Sequence, residues 1–133
     1  MSFEPLDSTT ATSTWDASPY VSPGARALTP RESALITAML EMLPDGASLR
    51  DHLADARVEF MKDGGMGSLR FTGLGPRKMD HELIAVRARD EDGMGLEISL
   101  NVDQDGDLFE LDIWRVDFKP LLRLPEPGEL KRA

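Results

Sequence analysis

Residues 96–114 read Leu-Glu-Ile-Ser-Leu-Asn-Val-Asp-Gln-Asp-Gly-Asp-Leu-Phe-Glu-Leu-Asp-Ile-Trp, and this stretch decides the fold class. Leu96, Ile98, Leu100 and Val102 occupy every second position, the period of a strand with one apolar face. Gln104-Asp105-Gly106 follows as a tight turn, because Asp-Gly is a strong short-range hairpin signal. Beyond it, Phe109, Leu111 and Ile113 fall on one face of a second strand, with Glu110, Asp112 and Trp114 on the other. Two strands joined by so short a turn run antiparallel.

The same reading extends upstream. Glu91-Asp92-Gly93 turns a strand at about Leu83 to Arg89 into the one just described. Val58 and Phe60 alternate with Glu59 and Met61, and Leu69 and Phe71 alternate with Ser68, Arg70 and Thr72. Between these two runs lies Asp63-Gly64-Gly65-Met66-Gly67, which makes them a hairpin with a glycine-rich loop. Five strands connected by short turns imply an antiparallel meander.

Before the strands the period is helical. Thr29 can cap a helix, Pro30 suits its first position and Glu32 completes a capping box. Leu35, Ile36, Met39, Leu40, Met42 and Leu43 recur at three- and four-residue spacing until Pro44-Asp45-Gly46 stops the run, which predicts a helix over Pro30–Leu43. Ser48 and Asp51 repeat the capping pattern ahead of a second helix over Leu49–Asp55. The expected fold is therefore α+β, with two N-terminal helices packed on one face of a mostly antiparallel five-stranded sheet.

Pro120 lacks a donor and takes the chain out of the ladder after Val116, so Phe118, Leu121 and Leu122 are expected to fold back on the core. Residues 1–27, rich in Ser, Thr, Pro and Ala without a period, read as a tail that could also dock through Trp15 and Tyr20. A single domain over 28–125 and a short tail over 126–133 complete the division, in line with a length of 133 residues.

Charge narrows the function classes. Fifteen basic residues against twenty-four acidic ones give a net charge of −9. Such a field repels phosphate backbones and anionic lipid, which disfavours nucleic acid and membrane surfaces and favours a basic protein partner. With no cysteine there is no thiolate nucleophile and no cysteine-held metal. The first residues lack the basic start and apolar stretch of a signal peptide, so the expected location is the cytoplasm.

Motifs that could carry chemistry are few. Gly64, Gly65, Gly67 and Ser68 could aim N–H groups at an anion near Lys62 and Arg70, but they join two strands and lack phosphate-loop spacing. Asp103, Asp105 and Asp107 resemble the start of a calcium loop, yet Trp114 stands where the bidentate Glu is required, and a plain turn explains them. His52 and His81 lie in different elements with no metal-ligand spacing. No metal, cofactor or catalytic residue is expected.

The informative set is Glu110, Asp112 and Trp114, which alternation lines up about 7 Å apart on the face opposite the apolar one. Either these acids pair across strands with Arg70, Arg87 or Arg89 as a solvated face, or the face is a site. An indole flanked by acids suits a protein contact better than catalysis, because Trp and Arg dominate interface hot spots.

Asp63–Phe71 (DGGMGSLRF) and Phe109–Phe118 (FELDIWRVDF) together resemble the signature of a family of small bacterial domains of unknown function. The resemblance covers roughly residues 28–125 and implies the limits of the domain without adding an activity. The expectation that emerges is a non-enzymatic protein-interaction module, immunity-like or regulatory, using Glu110, Asp112, Trp114, Arg70 and Arg87. Its alternatives are a small-ligand or enzymatic domain built on the same acids, and a homodimer formed through the open face.

Overall fold

The computed structural model describes residues 24–73 and 76–133, so the docking segment read at Trp15 and Tyr20 lies outside the described residues. In chain order the elements are β1 (Arg26–Ala27), α1 (Pro30–Glu41), α2 (Ala47–Arg50), β2 (Arg57–Phe60), β3 (Leu69–Phe71), β4 (Met79–Arg89), β5 (Gly95–Asp103), β6 (Leu108–Arg115) and β7 (Lys131–Arg132). Short 3₁₀ turns occupy Leu53–Asp55 and Pro127–Glu129. The described residues contain no helix long and apolar enough to cross a membrane.

The start of α1 is the capping box that its sequence predicts. The Glu32 N–H donates to Thr29 Oγ1 at 3.1 Å and the Thr29 N–H donates to Glu32 Oε1 at 2.9 Å. Arg26 clamps the same carboxylate with two bonds of 2.8 and 2.9 Å, tying β1 to the helix. Leu35, Ile36, Met39 and Leu40 are buried as one stripe. The helix ends at Glu41, two residues before the expected Leu43, with Met42 as its C-cap.

The second helix departs from expectation. A four-residue turn, Ala47–Arg50, is followed by the separate 3₁₀ turn Leu53–Asp55, and Ser48 makes no cap because the N-cap is Gly46. Gly46 packs so close to α1 that a Cβ on it would overlap the Leu40 carbonyl oxygen. The chain must therefore enter the helix directly from glycine, which leaves Ser48 inside it.

The sheet is antiparallel and open, with seven strands instead of five, in the order β1-β2-β3-β6-β5-β4-β7. The two additional strands lie at its edges. Each has only two residues, too few for alternation to reveal, and they fall in segments that read as tails.

The strand order also differs from a simple meander: β3 pairs with β6, and β4 reaches the far side of β5. Arg77 shows how the connection crosses. Its guanidinium donates to Phe71 O at 2.8 Å, Leu108 O at 2.5 Å and Asp103 Oδ2 at 2.8 Å, spanning the ends of β3, β6 and β5. The remaining Asp103 oxygen accepts the N–H groups of Asp105 and Asp107, so this acid closes the β5–β6 turn.

One core holds these layers. The α1 stripe packs with Val58, Leu69, Phe71, Ile84, Val86, Leu96, Ile98, Leu100, Val102, Leu108, Leu111 and Ile113 from the helix-covered side of the sheet. Opposite Asn101 and Val102 the register of β6 slips, pairing them with Glu110 and Leu108. Phe109 is thereby a bulge residue, with the guanidinium carbons of Arg70 and Arg77 at 5.7 and 5.5 Å from its ring centre.

The core side of β6 ends in a charge. Arg115 continues the phase of Leu111 and Ile113, is buried, and bonds Asp90, Asp92 and Asp117 at 2.7 to 2.8 Å. Asp90 additionally accepts the N–H groups of Glu91, Leu122 and Arg123. Burial alone would raise the Asp90 pKa, but these donors and Arg115 together hold it below the usual carboxylate value. The cluster fastens the chain after β6 to the β4–β5 turn.

Candidate interaction face

The helix-free side of the sheet is read directly from the register. Arg70 on β3, Glu110 on β6 and Asn101 on β5 stand in one row, Asp112 and Ser99 in the next, and Trp114, Glu97 and Arg87 in the third. Directly opposite residues share a face, so these side chains form one continuous surface.

Arg70 bonds Glu110 Oε2 through two nitrogens at 2.8 and 3.3 Å. Asn101, itself buried, donates to Asp112 Oδ2 at 2.6 Å. Burial first, then the charge and hydrogen bonding of Glu110, push Asp112 up to about 6, while Asn101 and Arg70 pull the other way. Glu110 is matched by an arginine, while Asp112 keeps a proton into the mildly acidic range.

Trp114 and Phe118 complete the surface. Their ring centres are 5.9 Å apart with the planes tilted by 55°, a favoured aromatic geometry. The side chains remain 41% and 70% exposed. Phe118 was expected to fold back on the core with Leu121 and Leu122. Only Leu121 packs there, and Phe118 and Leu122 are exposed. A left-handed backbone at Phe118, φ 63°, turns the chain outward, held by its N–H to Arg115 O at 2.8 Å. That conformation is rare for a bulky residue and carries strain.

The structure brings Arg70, Glu110, Asp112 and Trp114 onto one surface. Arg87 lies on the same face but forms no ion pair among the described residues, and Arg89 donates to Gly93 O. The glycine loop stands apart. Asp63 accepts the N–H groups of Met66 and Ser68 at 3.0 Å, and Gly65 O accepts the Leu121 N–H. Ser68 is buried, its Oγ accepting the Ile113 N–H at 2.8 Å and donating to Ile113 O at 3.2 Å. Gly64, Gly65 and Gly67 all have positive φ, as the loop demands.

Sequence reasoning missed Asn101, Phe118 and the Arg115–Asp90 cluster. Arg115 had a signal, a charge in the buried phase of β6. Asn101 falls on the polar face of β5 by alternation, and nothing local marks it as buried. The turn at Phe118 had none, because glycine is the residue that normally marks a left-handed position.

These features define a small acidic α+β domain with one helix-covered and one open sheet face. Residues 25–125 match a family model described as a domain of unknown function, DUF6984, and the chain belongs to that family. No curated protein and no solved structure matches the chain.

Proposed function

We propose that the domain is a protein-interaction module that docks a basic protein surface on its open sheet face, around Trp114 and Phe118. One observation carries the reading: two aromatic rings, packed on each other and 41% and 70% exposed, stand beside Glu110 and Asp112. Aromatic anchors of this kind supply most of the energy of an interface. The net charge of −9 supplies the sign of the partner, because opposite fields speed encounter and select against wrong partners. The strain at Phe118 fits the same reading, since strained backbone is retained where presentation of a side chain matters. A cytoplasmic immunity-like or regulatory protein that covers a basic target would use such a face.

The experiment is a comparative capture from native-host lysate with the full chain and with Trp114→Ala and Leu122→Ala. The expected result is a basic protein retained by the parent and by Leu122→Ala, lost with Trp114→Ala, and released as salt rises. Equal capture by Trp114→Ala, or self-association in place of a partner, contradicts it.

A second reading rests on Asp112. A carboxyl raised to about 6 beside a second carboxylate can exchange protons near neutral pH, which suits a small-ligand or catalytic site. Its test is a ligand screen against Asp112→Asn, with loss of a bound compound as the supporting result.

A further inference from the structure

A cleft of about 690 Å³ lies where the β4–β5 turn, the chain after β6 and the C-terminal turn converge. Its size is within the range of small-molecule sites. Arg87, Arg89, Arg123 and Lys131 line it, four cations gathered in a chain with a net charge of −9.

Arg87 and Lys131 stand directly opposite each other where β4 pairs with β7. Like charges so placed repel, and neither side chain makes an ion pair among the described residues. Four acids, Asp90, Glu91, Glu97 and Glu129, also line the cleft and offset this arrangement only in part. Asp90 is committed to Arg115 and to three backbone N–H groups. Glu129 accepts the Glu126 N–H and lies 3.7 Å from Arg123. That leaves Glu91 and Glu97 beside Arg87, Arg89 and Lys131, with Glu97 directly opposite Arg87 on β5 and Arg89 donating to Gly93 O. Val116, 41% exposed, adds an apolar wall to the cleft.

We propose that this cleft binds a small phosphate-bearing molecule, with the phosphate between Arg87 and Lys131 and the rest of the ligand against Val116. A dianion neutralises two converging cations at once, and the forked guanidinium matches the geometry of phosphate oxygens. The remote acidic surface opposes this only weakly, because salt at physiological strength screens charges beyond about 8 Å. The site borders the Trp114 surface and shares Arg87 and Glu97 with it, but it rests on the cations and not on the aromatic rings, so it does not depend on the docking reading.

The test is an NMR titration of the full ¹⁵N-labelled chain with inorganic pyrophosphate, with citrate as a carboxylate comparison. Saturable shifts at residues 87, 89 and 131, at lower concentration than with citrate, are expected. Lys131→Gln and Arg87→Gln should each weaken binding about tenfold, the worth of one charge-assisted hydrogen bond. Lys131→Gln should also melt higher than the parent in phosphate-free buffer, because the repulsion is relieved. No saturable shift, tighter binding of citrate, or unchanged affinity in both variants overturns the proposal.

Discussion

Arg115 and Asp90 face each other at 2.8 Å with side chains only 4% and 0% exposed, and this pair sits at the end of the apolar row of β6. It closes the core where the chain leaves the sheet, and through Asp90 it holds the N–H groups of Leu122 and Arg123. A paired buried charge of this kind is costly to break, because the remaining partner is left uncompensated.

Asp90→Ala should therefore lower the melting temperature more than Asp92→Ala, whose carboxylate is 42% exposed. The variant should also become sensitive to trypsin at Arg123, as the segment it fastens comes loose. Equal melting of the two variants contradicts the assignment.

Ser68→Ala removes the hydroxyl that both donates to and accepts from the backbone of Ile113. A buried N–H and C=O lose their partner together, at a cost of about 2 kcal/mol. Urea unfolding measures it, and a change within a few tenths of a kcal/mol contradicts the role.

Phe118→Gly relieves a left-handed backbone that costs a non-glycine residue about 1 to 2 kcal/mol, and it forfeits the ring contact with Trp114, worth about 0.5 to 1.5 kcal/mol. The expected result is a stability equal to or slightly above that of the parent, together with weaker partner binding. A large loss of stability would make Phe118 a structural residue.

Asp112 governs a pH slope. Its folded value near 6 lies above the usual 3.8, so between those values the folded state holds a proton that the unfolded state has released. Stability from this group is full below about pH 4, falls as pH rises to about 6, and is level above. Asp112→Asn keeps an acceptor for Asn101 and removes the slope. It should gain about 1 kcal/mol at pH 7 once screening at a partly buried position is allowed for. Unfolding at pH 4.5, 6 and 7.5 tests this, and an unchanged slope in the variant contradicts it.

Much of this architecture was legible in residue order. Alternation along β5 and β6 needs no tertiary information, and Thr29 with Glu32 marks a helix start through local bonds alone. The same alternation put Glu110, Asp112 and Trp114 on one surface. What escaped depends on distant partners. The pairing of β3 with β6 joins residues far apart in the chain, Leu69 with Leu111, and a two-residue strand such as Lys131–Arg132 is defined only by the neighbour it meets. The depth of Asn101 and the outward turn at Phe118 are likewise set by packing, which no local pattern encodes.

The measurement that bears most directly on the docking surface is calorimetric affinity of a captured basic partner for the parent and for Trp114→Ala, at low and at physiological salt. The predicted result is a loss of about 2 kcal/mol or more in the variant with its melting temperature unchanged, and weaker binding of the parent at higher salt. Unchanged affinity in Trp114→Ala would contradict the account, because the open face would then not be where the partner docks.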